Sequence, residues 1–174
     1  MAYGQTKEMC VQIEWMIRRQ MPRILDIENE SFEFPCSEED FTDCARRDPV
    51  MVAKVDDQIV GFLMYQPQKA FSTVLDFAVA RSFRRHGIAS KMMNILINKL
   101  SAKMRCITLE IRETNLPGQL FLRALGFRAV SVLRQFYTDT PEDAYLMQCR
   151  YRPSLGDGIL PFMGKNRIAD ISIT

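Results

Sequence analysis

The 174-residue sequence lacks several patterns that define common classes of site. It has a single histidine, His86, which argues against a histidine-based metal site and against a catalytic triad. The five cysteines are odd in number, scattered, and form no CxxC pair. This usage predicts reduced thiols in a cytoplasm, with neither a disulfide framework nor a zinc site.

Long apolar runs and strong net charge are also missing. No apolar run approaches the roughly 18 residues that a membrane-spanning helix needs, and MAYGQTKEMC lacks the pattern of a signal peptide. The net charge is only +2, so bulk electrostatics point neither to nucleic acid nor to a membrane. We therefore expect a cytoplasmic protein. Any anion-binding site in it should depend on a local group of basic residues rather than on the net charge.

The composition is that of a globular protein, with 47% hydrophobic and 25% charged residues. The length suffices for one domain with a real core and barely for two. We expect residues 1–152 to form a single domain. Residues 153–174 follow this domain as an extension. Its sequence pattern is compatible with a flexible tail, with an added edge strand, or with a segment that binds a partner, such as a second copy in a dimer.

Apolar periodicity predicts the element order β α α β β β α β α β β. Strands are predicted at Val11–Ile17, Met51–Val55, Gln58–Tyr65, Phe71–Ala80, Cys106–Arg112, Phe127–Phe136 and Ala144–Arg152. Helices are predicted at Arg18–Ser31, from a Ser37 cap to about Arg46, from a basic turn to about Met104, and at Asn115–Leu125. Strand–helix alternation in the middle implies parallel pairing there, and the flanking hairpins imply antiparallel pairing. The predicted fold class is α/β, with a mixed central sheet flanked by helices.

The segment Leu75–Met93 joins an apolar strand, LDFAVA, to a helix through the basic turn RSFRRHGIA. The first N–H groups of a helix have no intrahelical partner, and the helix dipole adds positive charge there. Arg84 and Arg85 add two full charges with a geometry suited to phosphate oxygens. Gly87 has no Cβ, so an anion can approach the backbone. The segment therefore predicts an anion site.

Two common nucleotide-binding motifs do not occur at this turn, because the chain has neither GxxxxGK[ST] nor GxGxxG. Arg84, Gly87 and Ala89 instead match the [R/Q]xxGx[G/A] pyrophosphate loop of the GNAT acyl-CoA N-acyltransferases. The match lies between a predicted strand and a predicted helix, as that loop does.

More of the chain, about Val11–Arg152, resembles the same superfamily and within it the RimI-like branch of protein N-terminal (ribosomal-protein alanine) acetyltransferases. IRRQMPRILDIENESFEFPCSEEDF resembles the opening helices and loop of that branch. LEIRETN and FLRALGF are similar to its LEVRxxN…LYxxxGF segment, and RQFYTDTPEDAYLM to its RxYYxxxxEDAxxM ending. The four blocks occur in the same order as in the branch.

This resemblance implies direct acetyl transfer from acetyl-CoA to an amine, without a metal. Phe77, Ala78 and Val79 would pair their backbone with the pantetheine arm, and an N–H near Val79 would polarise the thioester carbonyl. The turn would hold the pyrophosphate, and Asn115 would line the other side of the cofactor. The residues expected at the pyrophosphate are Arg84, Arg85, His86, Gly87, Ile88, Ala89 and Ser90.

Glu110 is the candidate base, because it interrupts the apolar strand Ile107–Ile111 and matches the glutamate of LEVR. An amine must be neutral to attack a thioester, and roughly a tenth of an α-amine is neutral at pH 7, against well under a thousandth of a lysine. We expect Glu110 to act on the acceptor amine through water. The alternative is an outward-facing strand carboxylate.

The resemblance fails at one chemically important position. Where the branch has a tyrosine as general acid, this chain has Leu122, which has no proton to donate. Either the CoA thiolate leaves without a protein acid, or Tyr137 supplies the proton. We expect Tyr137 to contact the acceptor first and to act as an acid second.

The acceptor peptide is expected beside Phe34, Pro35 and Cys36 and beside the loop that contains Tyr137. Cys36 stands where the branch commonly has a tryptophan, so this wall should differ in shape. Protein N-terminal acetylation is the first hypothesis. A small-molecule amine acetyltransferase and a weakly active acyl-CoA-binding module are the alternatives.

Overall fold

The structure is a computed structural model that describes residues 9–153. Across these residues it has seven strands and four α-helices, in the predicted order β α α β β β α β α β β. They divide into two compact units, one of residues 9–67 and 74–95 and the other of residues 68–73 and 96–153. The predictions for the C-terminal extension concern residues outside the described range, apart from Pro153.

The first unit contains the N-terminal half of the fold and the whole of the predicted anion turn. Its helices are α1 (Met21–Ser31), α2 (Glu38–Arg47) and most of α3 (Ile88–Ile97). Its strands are β1 (Val11–Trp15), β2 (Val50–Val55), β3 (Gln58–Pro67) and the second part of β4 (Phe71–Val79). The strand order is β1-β2-β3-β4, with antiparallel β1–β2 and β2–β3 pairs.

Local sequence signals explain why these elements begin and turn where they do. Pro22 lies in the first turn of α1, where its missing N–H has no cost. The Ser37 hydroxyl caps α2 by accepting the Asp40 N–H at 3.1 Å. Asp56 and Asp57 adopt positive φ angles of 47° and 64°, which suit the tight β2–β3 hairpin.

The core of the first unit joins α1 and α2 to β2, β3 and the end of β4. Phe41 of α2 meets Phe62 of β3 edge-to-face, with 5.3 Å between ring centroids. The buried members of this cluster are Ile24, Ile27, Phe41, Val50, Val52, Ile59, Phe62, Met64, Ala78 and Ala80. Because Ala78 and Ala80 belong to it, the core fixes the strand end from which the anion turn departs.

The second unit contains the start of β4, β5 (Cys106–Arg112), α4 (Leu116–Ala124), β6 (Arg128–Leu133) and β7 (Ala144–Arg150). The strand order is β4-β5-β7-β6. β4 and β5 are parallel, with Phe71 opposite Cys106 and Thr73 opposite Thr108, as predicted. β5–β7 and β6–β7 are antiparallel, so the sheet is mixed.

Two predicted element ends lie three or more residues past the observed ones. Helix α3 ends at Ile97 rather than near Met104, because Lys99 and Leu100 donate to carbonyls three residues back and tighten the last turn. Ser101 and Met104 then close a separate turn through N–H and hydroxyl hydrogen bonds. β6 ends at Leu133 rather than Phe136, and the Gln135 N–H donates to the Asp143 carboxylate at 2.9 Å.

Within residues 9–153, no helix is long and apolar enough to cross a bilayer. All five cysteines lie in this range as free thiols.

The packing of α2 yields a stability prediction. Phe41→Ala should lower the free energy of unfolding by about 3–5 kcal/mol, because the side chain is fully buried and the cavity cannot refill. Glu39→Ala, on the exposed face of the same helix, should change it by less than about 0.5 kcal/mol. Urea unfolding measures both, and equal effects would contradict the packing.

Candidate functional site

The end of β4 is held rigidly from the side of β3. The Ala80 N–H donates to the Val60 carbonyl at 2.8 Å. A Cβ built on Gly61 would lie 2.9 Å from the Ala78 carbonyl oxygen, so only glycine permits this approach. The backbone of Phe77, Ala78 and Val79, predicted to pair with pantetheine, therefore has a fixed position in the first unit.

The turn after β4 has a backbone suited to anions. Arg85 and Gly87 have positive φ angles of 67° and 75°, one on each side of His86. Left-handed residues within a turn can direct neighbouring N–H groups toward one side and form an anion-binding concavity. The first α3 bond runs from the Lys91 N–H to the Gly87 carbonyl at 2.9 Å, so the N–H groups of residues 88–90 precede the helical ladder.

The two arginines at the edges of the turn fasten it to α1. Arg84 donates through Nε to the Val79 carbonyl at 2.8 Å and through a terminal nitrogen to the Ser31 hydroxyl at 3.0 Å. Arg81 donates through Nε to the Glu30 carbonyl at 2.9 Å. The Arg84 side chain thus positions the turn, while Arg85 and His86 are exposed. That Arg84 to Ser90 contact a pyrophosphate stays a prediction.

The loop between α1 and α2 presents the three residues predicted to contact the acceptor. Phe34, Pro35 and Cys36 are all exposed. Partial burial, with the nearby carboxylates Asp40 and Glu28, raises the pKa of the Cys36 thiol to about 11. A thiol with this pKa stays protonated at neutral pH, so Cys36 is a poor acyl-accepting nucleophile.

A carboxyl pair that the sequence analysis missed lies beneath this loop. Glu28 of α1 is 2% exposed, and its Oε1 accepts the Cys36 N–H at 2.9 Å. The carboxyl of Asp76 on β4 lies beside it. Burial raises the pKa of both carboxyls, and the Glu28 charge raises that of Asp76 further. Two sequence signals mark the pair: Asp76 interrupts an apolar strand, and Glu28 lies four residues after buried Ile24.

The second unit brings the candidate base Glu110 near Tyr137. Glu110 is half-buried and alternates with the core residues Leu109 and Ile111 of β5. Burial raises the pKa of the Tyr137 phenol, the Arg112 charge lowers it, and the Glu110 carboxylate raises it. The net shift is upward, so Tyr137 keeps its proton at neutral pH.

Arg112 fastens the loop that contains Tyr137. Its guanidinium lies 3.8 Å from the centroid of the Tyr137 ring and bonds Asp139 at 2.5 Å and Glu142 at 2.7 Å. It also donates to the Thr140 hydroxyl at 2.8 Å. These contacts lower the pKa of Asp139, chiefly through the Arg112 hydrogen bond. The sequence analysis did not single out this arginine.

Two further residues act within α4. The Asn115 side chain caps the helix by accepting the Gly118 N–H at 3.0 Å, as predicted for its capping role. Its expected contact with the cofactor stays a prediction. Leu122 is fully buried and contributes to the core.

Residues 9–153 contain no group of three or more histidine, cysteine or acidic side chains that could hold a metal ion.

The predicted site residues fall into two sets. The strand end, the turn and the α1–α2 loop belong to the first unit, and Glu110, Asn115 and Tyr137 belong to the second.

Comparison with known proteins defines the class of fold. The ribosomal-protein-S18-alanine N-acetyltransferase from Escherichia coli matches with a TM-score of 0.74 at 23% identity, covering 83% of this chain and 96% of that one. The predicted mixed α/β acyltransferase fold is thereby confirmed.

The family follows from the sequence. The model of the acetyltransferase (GNAT) family matches residues 19–127, and the chain belongs to this family. The N-alpha-acetyltransferase of Sulfurisphaera tokodaii is 33% identical over 110 residues, which cover 55% of this chain and 65% of that protein. The [ribosomal protein bS18]-alanine N-acetyltransferase of Salmonella typhimurium is 27% identical over 131 residues, or 73% and 88% of the two chains. The chain thus spans just under two thirds of the archaeal relative.

The Arg112 contacts yield a prediction on ionisation. The lowered Asp139 pKa means that this contact stabilises the fold above the ordinary aspartate pKa and is lost as pH falls through the lowered value. Arg112→Met should therefore raise the Asp139 pKa toward its ordinary value. Carboxyl-detected NMR titration measures it, with Arg105→Met as a control on an exposed arginine. An unchanged Asp139 pKa in Arg112→Met would contradict the assignment.

Proposed function

We propose that this protein transfers the acetyl group of acetyl-CoA directly to the α-amine of a protein N-terminus. The observation that carries the proposal is the turn between β4 and α3, where Arg85 and Gly87 have positive φ angles in a chain of the GNAT family. A turn of this kind offers main-chain N–H groups to a pyrophosphate. The names of the archaeal and bacterial relatives support an α-amine as the acceptor.

The residues of the first unit fit acetyl-CoA in a defined way. The N–H groups of residues 85–90 would bind the phosphate oxygens, with the exposed Arg85 adding charge. The backbone of Phe77 to Val79 would pair with the pantetheine arm. An N–H near Val79 would donate to the thioester oxygen and stabilise the negative charge that develops there.

The second unit supplies the groups proposed for proton transfer. Glu110 would take a proton from the acceptor nitrogen as the bond to the acetyl carbon forms. Tyr137, which keeps its proton, would contact the peptide and is available as a second-choice acid for the thiolate. A thiolate with an ordinary pKa of about 8.5 is also a fair leaving group without a protein acid.

One observation favours the alternative of an acyl-CoA-binding module with little turnover. Leu122 is fully buried at the position where the branch has its acid. The same chemistry on a small-molecule amine is the other alternative, since the loop at Cys36 is exposed and lacks the tryptophan of the branch.

Mass spectrometry of an acceptor panel separates these functions. The protein is incubated with acetyl-CoA and with peptides that differ in the first residue, lysine-containing peptides with blocked N-termini, and small amines. We expect acetylation at peptide α-amines. Transfer only to small amines would mean that the acceptor is a small molecule rather than a protein N-terminus. Binding of acetyl-CoA in calorimetry, without acetylation of any panel member, would support the binding module instead.

The proposed pyrophosphate contact predicts a specific loss in a glycine variant. Gly87→Ala places a Cβ on a backbone with a φ of 75° and should distort the turn. A strained residue of this kind costs roughly 1–2 kcal/mol. We therefore expect the dissociation constant for acetyl-CoA to rise about tenfold. Calorimetry measures the dissociation constant.

Gly126→Ala is the matched control, because Gly126 has a φ of 91° and, like Gly87, no atom near the added Cβ. It follows α4, in the second unit. Both variants should lose similar stability, and only Gly87→Ala should lose affinity. Equal affinities in the two variants would remove the turn from the cofactor site.

A further inference from the structure

Arg112 has no part in the proposed chemistry, yet its side chain holds the middle of the loop between β6 and β7. The guanidinium lies 3.8 Å from the centroid of the Tyr137 ring. One terminal nitrogen donates to the Thr140 hydroxyl at 2.8 Å and to the Glu142 carboxylate at 2.7 Å, and the other donates to the Asp139 carboxylate at 2.5 Å. A single planar group thus binds the loop through its edge while its face covers an aromatic ring.

The two ends of this loop are held by other groups. The Asp143 carboxylate accepts the Gln135 N–H at 2.9 Å and pairs with Arg134. The Asp143 N–H donates to the Glu113 carboxylate at 3.1 Å, and the Glu113 N–H donates to the Asp143 carbonyl at 3.1 Å. None of these bonds involves the Arg112 guanidinium. Loss of the guanidinium should therefore loosen the middle of the loop and leave its ends in place.

Strand geometry places Arg112 on the face of β5 that carries the candidate base. Successive side chains of a strand point to opposite faces, so residues two apart share a face. Glu110 and Arg112 are both half-buried, and the buried Ile111 lies between them in the sequence. Contact with Arg112 thus brings the Tyr137 ring to the side of the sheet that carries Glu110.

The ion pairs also make the guanidinium compatible with a cationic acceptor. An α-amine with an ordinary pKa of about 8 is mostly an ammonium group at pH 7. A lone guanidinium would repel it, but one guanidinium paired with two carboxylates carries a net charge of −1. Hydrogen bonding to Arg112 lowers the pKa of Asp139. Hydrogen bonding to Thr114 and to Arg112 lowers the pKa of Glu142, so both carboxylates are charged at neutral pH.

We propose that Arg112 is a positioning residue for the acceptor peptide and that it acts through Tyr137. The guanidinium holds the Tyr137 ring on the face of β5 that carries Glu110, so that a peptide in contact with the ring presents its α-amine toward the base. The proposal rests on the proposed acetyl transfer. Arg112 itself takes no proton and contacts no reacting atom, so its effect should fall on acceptor binding.

Steady-state kinetics of the full-length protein with a peptide acceptor test this role. Arg112→Met removes the guanidinium and all of its bonds to the loop. We expect the KM for the peptide to rise about tenfold with kcat unchanged, because a contact made equally in the ground state and the transition state contributes to binding alone. A role in folding alone would reduce the amount of active protein, and thereby kcat. A fall in kcat at constant KM would refute the proposal.

A double-mutant cycle shows whether Arg112 acts through Tyr137. Tyr137→Ala should raise the peptide KM by about tenfold, and Arg112→Met should raise it by less than about twofold more when the tyrosine is already absent. Losses that multiply in the double variant would mean that the two side chains act independently, and would refute the proposal.

Arg112→Lys separates geometry from charge. Lysine keeps the positive charge but has no planar fork, so it cannot bind both carboxylates and cover the ring together. We expect its peptide KM to lie close to that of Arg112→Met, and full activity in Arg112→Lys would refute the proposal.

Arg134→Met is the matched control. Arg134 is an exposed arginine of the same loop, and it pairs with Asp143 at the end of the loop. Its loss should change the peptide KM by less than about twofold. A rise equal to that of Arg112→Met would mean that any loosening of the loop has this effect, and would refute a specific role for Arg112.

The outcomes distinguish this role from the proposed function. If the wild-type protein acetylates no peptide of the panel, the acetyl transfer and this role both fail. If it acetylates peptides and Arg112→Met keeps the wild-type KM, only the role of Arg112 is refuted. If Arg112→Met does not fold, Asp139→Ala removes one partner of the guanidinium and should raise the peptide KM by a smaller factor. An unchanged KM in Asp139→Ala would then refute the role.

Discussion

The bond from Arg84 Nε to the Val79 carbonyl is the contact on which the candidate site depends, because it joins the end of β4 to the turn that follows it. A second Arg84 bond, to Ser31, ties the same turn to the end of α1. The core beneath, with Ala78 and Ala80 packed against α1, α2 and β3, keeps the strand end in place. Main-chain N–H groups bind anions well only when they are preorganised in this way.

The packing of α1 against the sheet also buries a carboxyl group, where a charge is costly. α1 buries Ile24 and Ile27 in the core and carries Glu28 into the same buried face, against Asp76 of β4. In the second unit the carboxylates have a cation beside them, since Arg112 pairs with Asp139 and Glu142 and stacks on Tyr137. The ion pairs of Arg112 fasten the loop that contains Tyr137.

Much of this fold could be predicted from the sequence, because its signals are local. The Ser37 cap, the Asn115 cap and the acidic hairpin at Asp56 all lie where their residue types indicate. The end of α3 could not be predicted, since its apolar residues continue the helical period to Leu100 while i→i−3 bonds end the helix. Pairs between elements distant in sequence, such as Glu28 with Asp76 and Arg112 with Tyr137, also escape prediction. Each half has an ordinary local explanation, and only the tertiary contact reveals the chemistry.

The central claim is that main-chain N–H groups of the turn after β4 bind the phosphates of acetyl-CoA. Amide NMR of the labelled protein during titration with CoA tests it most directly. The account predicts that the largest shift changes fall at residues 85–90, with smaller changes at Phe77 to Val79. Saturable binding of CoA that leaves the amides of residues 85–90 unshifted would contradict it.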